Sequence, residues 1–579
     1  MQAAGMRFLP LALFLLAGGV ASVAMGPDAN WDLRNYHLYA PFAWANPRPA
    51  DNLPAGIQTL FNPLPDLPFL ALISTFNDWP WVVCFAMGLP AGLSAFLLWR
   101  LALSVLPAGL AALATLGGVT GAAFISEIGT TFNDLTTAPL LLGALLLLGR
   151  GGVGWAGLLG GLAVGLKLTN APFALGLAAA ALAGPRPRLI LLGAMGLLGT
   201  LAGAGPWMLH IWTETGNPIF PFADSLFATG DEAARVARDT RFLPDGPWQA
   251  LSWPFRWAFS SAPLVSEVSM RDPRLAMGLL AVPWLLWRGG PGRGLALFFA
   301  VGFAGWYGGF GIYRYALVLE CLAPTLVLLA LRPLPRPWVV APAAILLMLA
   351  LTKPMVWGRG SREGQYLTAS LPAVPPGSLV VISGVPAAYL AWVAPALRFA
   401  GLDEQAVLGR PARHMGRLRD DVAAGTPAYA LVPNGADAAS RFSAMGRPIQ
   451  PQACRRVCTS WTAGGVGPAL CPLEGSPVPD WGAANTLCAM AGPEFGLSGR
   501  RGLAVPLAGA GLLPPPGCNV LTLRTGPGQA RLLAASAPAV VEGDATLIIQ
   551  VTGPLRLIPG ASGVWLRSAR CGAATAGGK

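Results

Sequence analysis

Residues 28–42 read Asp28-Ala-Asn-Trp-Asp32-Leu-Arg34-Asn-Tyr36-His37-Leu-Tyr39-Ala-Pro-Phe42. This polar stretch follows an apolar run over about residues 8–26. A run of about 20 apolar residues is enough for one helix to cross a bilayer, which puts these charges at a membrane edge. Asp32, Tyr36 and Tyr39 fall at helical spacing and are expected on one face. A carboxylate beside aromatics and a histidine has the make-up of a general base. The same residues also read as a solvated loop whose Asp caps a short helix, and composition alone favours that second reading.

Outward from this stretch, apolar runs repeat to about residue 353, at roughly 8–26, 79–99, 103–124, 135–149, 153–169, 171–184, 189–211, 275–287, 294–312, 315–331 and 338–353. Eleven spans are therefore expected over residues 1–353. The chain is 54% hydrophobic and 11% charged, against about 25% charged in a soluble protein, which excludes an ordinary soluble enzyme and a disordered chain. A net charge of +12 would suit nucleic acid if it were clustered. Here the basic residues sit singly between apolar runs, so membrane lipids are the expected surroundings and no nucleic acid is. With the N-terminus inside, Arg7, Arg100, Arg150, Arg186, Arg188, Arg288, Arg293, Arg332 and Arg336 mark one side, and no Asp or Glu joins them. The acidic residues of this half fall on the other side, apart from Glu320 just inside a span. That is the positive-inside pattern, and with an odd span count it puts the C-terminal region outside. The first run lacks a clean small-residue cleavage site and reads as a retained span rather than a signal peptide. The expected location is a bacterial inner membrane, multi-pass, with a cytoplasmic N-terminus and a periplasmic C-terminal region.

The expected exported side gathers further chemistry. Ser126-Glu127-Ile-Gly-Thr-Thr-Phe-Asn133-Asp134 places Glu127 and Asp134 seven apart, two turns along one helix face. Acidic groups so near hydrocarbon need partners or a water-filled cavity. In Gly165-Leu-Lys167-Leu-Thr-Asn170, Lys167 is the only lysine before residue 353; it either snorkels or holds a phosphate as a point charge. Tyr313-Arg314-Tyr315 opens a span on the side where an Arg is not expected; Arg314 either clamps a phosphate or pairs with Asp32, Glu127 or Asp134. Trp248, Trp253, Phe255, Trp257 and Phe259 form an interfacial aromatic cluster. Together the carboxylates, cations and tyrosines on one rim suit a lipid-linked phosphate substrate.

In these motifs the chain resembles the GT-C superfamily of integral-membrane glycosyltransferases. The resemblance rests on Asp32-Leu-Arg-Asn-Tyr36-His37 just after the first span, the acidic turn at Glu127 or Asp134, Gly165-Leu-Lys-Leu-Thr-Asn170 and Gly216-Asn-Pro-Ile-Phe-Pro221. It covers residues 1–353 and implies an inverting transferase that uses a polyprenyl-phosphate-linked sugar on the periplasmic face. It implies Asp32 as general base, with Asp28 as a second candidate. Lys167 and Arg314 would stabilise the departing phosphate, and Arg34, Tyr36, His37, Glu127, Asp134, Asn170, Tyr313 and Tyr315 would line the substrate. Many members of the mannosyltransferase branch carry Asp-Glu in the first loop; here the pair is Asp32-Leu33, which leaves the branch, the sugar and any metal open. No cofactor is singled out, and a divalent metal is left open.

After Lys353 the composition changes. Ser378–Ser383 and Tyr429–Val432 read as buried strands, with a helical stretch near Tyr389–Leu397, giving an expected α/β unit over 372–492. The runs 519–525, 545–553 and 564–569 suggest a β-rich unit over 493–579. Cys454, Cys458, Cys471, Cys488, Cys518 and Cys571 all fall after the last span, and an even exported set reads as disulfides. Cys454-x-x-x-Cys458 has no nearby His, which disfavours a zinc site; neither cysteine is expected to bridge the other. The competing readings are a secondary transporter, for which the internal repeats are missing, and a membrane-anchored sensor, which would not need five ionisable residues on one rim.

Overall fold

The computed structural model describes residues 2–479, apart from 185–187, 221–223, 228–238, 403–411, 434–441, 462–465 and single positions, and beyond 479 the backbone of strands between 503 and 572. Every apolar run becomes a helix. The order is α1 Gln2–Met25, α2 Tyr39–Ala45, α3 Leu67–Phe76, α4 Pro80–Leu103, α5 Ala108–Val119, α6 Ala122–Glu127, α7 Asp134–Gly149, α8 Val153–Leu166, α9 Ala171–Leu182 and α10 Leu189–Thr215. Then follow α11 Asp224–Phe227, α12 Pro247–Phe259, α13 Arg274–Arg288, α14 Arg293–Gly309, α15 Leu317–Leu331 and α16 Pro337–Leu351. Among the described residues four segments are long and apolar enough to cross a membrane, Phe8–Met25, Pro80–Leu103, Leu189–Thr215 and Tyr313–Leu331.

Glycine spacing sets the closest helix contacts. Gly157, Gly161 and Gly165 repeat every four residues on α8 and lie against the backbone of α10 at Leu192, Gly196 and Thr200. Gly18 of α1 and Gly92 of α4 meet in the same way. Small residues in this register let two backbones approach, which replaces the hydrophobic drive that lipid removes. Apart from Glu320 and Thr325, α15 is apolar on all sides, and nearly all of it is buried, as expected for the central helix of a bundle.

The first loop is more structured than its sequence suggests. It contains a π-helical turn at Leu33–His37, α2, 3-10 turns at Gly56–Leu60 and Leu64–Asp66, and the apolar α3. α12 has two faces: Trp253 and Trp257 are buried, while Trp248 and Phe259 are exposed.

The C-terminal region holds two sheets. The first has strands β1 Ala369–Ser370, β2 Leu379–Ile382, β3 Arg398–Gly401, β4 Ala428–Val432, β5 Arg455–Thr459 and β6 Val466–Pro472, in the order β1-β5-β6-β4-β2-β3. β2 is parallel to β3 and β4, and the other pairs are antiparallel. Two helices accompany this sheet, α17 Leu390–Val393 and α18 Ala412–Ala423. α17 is shorter than the helical stretch expected near 389–397. The second sheet lies between 503 and 572 and is antiparallel. Cys454 and Cys471 are joined, across β5 and β6, and Cys84 and Cys321 are buried free thiols. The side chains of Cys458, Cys488, Cys518 and Cys571 lie outside the described residues.

The first sheet is fastened to the first loop. Asn52 donates its N–H to the Phe399 carbonyl at 2.8 Å and accepts from Gly401 N–H at 3.0 Å, a short parallel extension of edge strand β3. Asp51 Oδ1 accepts from Phe399 N–H at 2.9 Å, and Arg48 donates to the Pro395 carbonyl at 2.9 Å.

Candidate active site

Three segments far apart in sequence meet at one group of charges. Asp32 stands at the start of the π-helical turn after α1, Asp134 is the first residue of α7, and Arg314 lies in a 3-10 turn at Tyr313–Ala316 that leads into α15. Arg314 Nη2 donates to Asp32 Oδ2 at 2.9 Å, and Nη1 lies 3.7 Å from Asp134 Oδ2. Lys167, just past the end of α8, puts Nζ 2.6 Å from Asp134 Oδ1 and donates to the Phe132 carbonyl at 2.5 Å. The Tyr36 hydroxyl donates to Asp32 Oδ2 at 3.3 Å. Burial and then the Asp32 charge push the Tyr36 phenol well above its ordinary range, which keeps that proton in place as a donor.

Aromatic rings enclose the guanidinium. Arg314 lies 4.2 Å from the Phe132 ring centre, 4.8 Å from Tyr315 and 5.9 Å from Trp357, and Lys167 lies 5.0 Å from Tyr315. Cation–π contacts of this kind gain strength when water is excluded. Asp32 and Arg314 are each 7% exposed, so the pair is screened from water yet still reachable.

Glu127 and Asp134 do not share one helix, as their spacing suggests. α6 stops at Glu127, and a turn with Asn133 at φ +67° leads into α7. Glu127 still reaches forward: its Oε2 accepts from Leu135 N–H at 3.2 Å, while Oε1 is buried without a hydrogen-bond partner. Burial, followed by the Asp134 charge, raises its carboxyl well above the usual carboxylate range.

Other expected site residues hold the frame. Asp28 is fully buried, and its oxygens accept from Asn30 N–H and side chain and from Thr131 N–H and hydroxyl. With so many fixed donors it ties the first loop to the α6–α7 turn and does not face the Arg314 group. Asn170 Nδ2 donates to Thr137 Oγ1 and the Ala163 carbonyl, both at 3.0 Å, and so joins α7 to α8. Tyr313 is fully buried, its N–H on the Val265 carbonyl at 2.7 Å. Arg34 turns back to the Asn30 carbonyl at 3.4 Å, and its own carbonyl accepts from Tyr389 N–H. Tyr39 bonds Asp51 at 2.9 Å rather than joining Asp32 and Tyr36. His37 faces Asp66.

Several contributors escaped the sequence reading. Arg359, in the strap after α16, donates to the carbonyls of Gly26, Ser126 and Ile128 at 3.3, 3.2 and 2.9 Å. It clamps the end of α1 to the turn that carries Glu127. Asp272 Oδ2 accepts from Ala122 N–H at 2.9 Å, and Glu320 accepts from Ala123 and Phe124 N–H at 2.9 and 3.0 Å. These carboxylates satisfy the open N–H groups at the start of α6, and Arg274 pairs with Asp272 at 2.6 Å. Arg274 was detectable by the signal that singled out Arg314, because it too is an Arg that opens an apolar run on the side expected to be exported.

Among the described residues no three His, Cys, Asp or Glu side chains gather into a metal-binding group. A cavity of about 620 Å³ opens at the opposite helix ends, beside Arg150 and Arg188, and includes none of the site residues.

No family model matches the chain, and no curated protein does. One solved structure is similar, ArnT from Cupriavidus metallidurans bound to undecaprenyl phosphate. It is 18% identical with a TM-score of 0.40, covering 59% of this chain and 63% of that one. The chain thus spans less than two thirds of that protein's length.

Proposed function

We propose that the chain is a membrane glycosyltransferase that moves a sugar from a polyprenyl-phosphate donor to a hydroxyl acceptor on the exported face. The observation that carries this reading is Arg314, held between Asp32 and Asp134 inside an aromatic enclosure with Lys167 beside it. Two cations and a carboxylate within reach of one point match a reaction in which a phosphate leaves while a hydroxyl loses its proton.

In the resting arrangement Arg314 is occupied by Asp32. An arriving donor phosphate competes for that guanidinium, since Arg binds phosphate and carboxylate with the same fork. Once Arg314 turns to the phosphate, Asp32 is released to act as base. The acceptor oxygen then bonds the anomeric carbon, the carbon–oxygen bond to phosphate breaks, and the acceptor proton passes to Asp32. The lipid phosphate leaves with its added negative charge opposed by Arg314 and Lys167, which is electrostatic stabilisation of the departing group. Tyr36 holds Asp32 in position throughout.

The test is transfer from a radiolabelled polyprenyl-phosphate sugar to bacterial membrane extract. Asp32→Asn is expected to lower the rate by about 10²–10⁴-fold, the usual contribution of a general base, with expression and insertion unchanged. A loss below about tenfold would remove Asp32 from that role. Undecaprenyl phosphate binding is expected to weaken in Lys167→Ala, and unchanged binding would return Lys167 to a structural role.

A further inference from the structure

The pair His37–Asp66 is unused by the transfer chemistry above. Asp66 ends the 3-10 turn before α3 and is 3% exposed. Its Oδ2 lies 2.7 Å from His37 Nδ1, and its Oδ1 accepts from Asn133 Nδ2 at 2.6 Å. His37 is 4% exposed, and its Nε2 is buried with no protein partner. The imidazole packs 4.2 Å from the Tyr36 ring, which Phe61 contacts edge-on, so the ring is held in place.

In the neutral ring a carboxylate at Nδ1 places the proton there and leaves Nε2 as a bare acceptor; the partner of one ring nitrogen sets the tautomer. A buried acceptor with nothing donating to it lowers stability, so a ligand that donates there gains what the empty fold lacks. The pair also adjoins the reacting group at both ends. Tyr36, whose ring is tilted against His37, donates to Asp32, and Asn133, bonded to Asp66, precedes Asp134.

We infer that His37 Nε2 is a hydroxyl-binding site, accepting a hydrogen bond from a polyol hydroxyl of the acceptor, with Asp66 as its positioning residue. The naming of the acceptor rests on the transferase reading; the bare nitrogen and its affinity for a hydroxyl do not. No proton is transferred at this site, because Asp32 serves as the base.

The chain has three histidines, which makes nitrogen-15 histidine labelling of the full chain in lipid nanodiscs tractable, with His37→Gln identifying the signals. The expected wild-type spectrum at neutral pH shows one protonated and one bare His37 nitrogen, and Asp66→Asn mixes the two tautomers. Sub-micellar octyl glucoside, a soluble polyol amphiphile, should move the bare Nε2 signal upfield. A doubly protonated ring, or an Nε2 signal that the glucoside leaves in place, overturns the proposal whether or not the chain transfers sugar. In the transfer assay, His37→Phe keeps the ring but not the nitrogen. It should raise the extract concentration for half-maximal transfer about tenfold with donor KM unchanged, and His37→Gln should restore most of it. Equal losses in both variants, or a loss in kcat alone, would mark a merely structural ring and overturn it. Absence of transfer by the wild-type chain, with the glucoside shift present, would fail the transferase reading and leave the hydroxyl site upheld.

Discussion

Asp32 and Asp134 depend on one guanidinium, so the substitutions that separate charge from geometry are informative. Arg314→Ala would leave Asp32 buried with only the Tyr36 hydroxyl beside it, while Asp134 keeps Lys167, and breaking a buried pair costs about 3–5 kcal/mol. Arg314→Lys keeps the charge but loses the planar fork that bridges two acceptors. The lysine variant should therefore stay folded and lose transfer, while the alanine variant should also lose thermal stability, measured by unfolding in detergent. Glu127 gives a pH prediction with a defined sign. Burial and Asp134 raise its native carboxyl above the ordinary value of 4.5, so the folded chain holds a proton that the unfolded chain releases. The stabilisation is complete below the unfolded value and is lost as pH rises through the native one. The melting temperature should fall as pH climbs above about 4.5, and Glu127→Gln should flatten that slope. An equal slope in the variant would assign the proton elsewhere.

At the scale of elements, the α8–α10 contact makes the firmest prediction. A Cβ at Gly161 would meet the Gly196 carbonyl, which is backbone and cannot move aside as a side chain would. Gly161→Leu should destabilise by at least the 1–3 kcal/mol typical of overpacking, and Gly193→Ala, which meets nothing within 4 Å, should not; thermal unfolding of both variants reads the difference. These helices were legible in the sequence because apolar length and terminal arginines are local signals. The four-residue glycine register was equally visible but was not read. The site was legible only in part. Asp32, Lys167, Arg314 and Asp134 were marked by being charged where hydrocarbon begins, and the structure brings those four together. Asp28 carried the same mark and Asn170 was polar at the same edge, yet both serve as ties, because polarity at a membrane edge does not tell a reactive group from one with fixed partners. Asp66 and Arg359 were missed for a different reason. Their partners lie far away in sequence, and no spacing rule links residue 359 to the carbonyls of residues 26 and 126.

For the whole molecule, the two halves of the chain constrain each other's side of the membrane. The first loop extends the edge of the first sheet through Asn52 and Phe399, and the Tyr366 hydroxyl accepts from Asp28 N–H at 3.0 Å. Segments joined by such bonds lie in the same compartment, so the first loop and the sheet share a face and the number of spans between them is even. An odd number of crossings up to α16 meets that requirement with a cytoplasmic N-terminus. The arginines give the expected face: Arg150, Arg188 and Arg293 lie at the helix ends away from Asp32, and the positive-inside rule predicts such ends in the cytoplasm. A reporter active only in the periplasm should work when fused after Asp245 or at Lys579 and fail after Arg150, Arg188 or Arg293. The reverse pattern would expose Asp32 to nucleotide sugars rather than lipid-linked ones. Arg314 and Lys167 would then still face a phosphate leaving group, so the reversal would overturn the donor while sparing the reaction class.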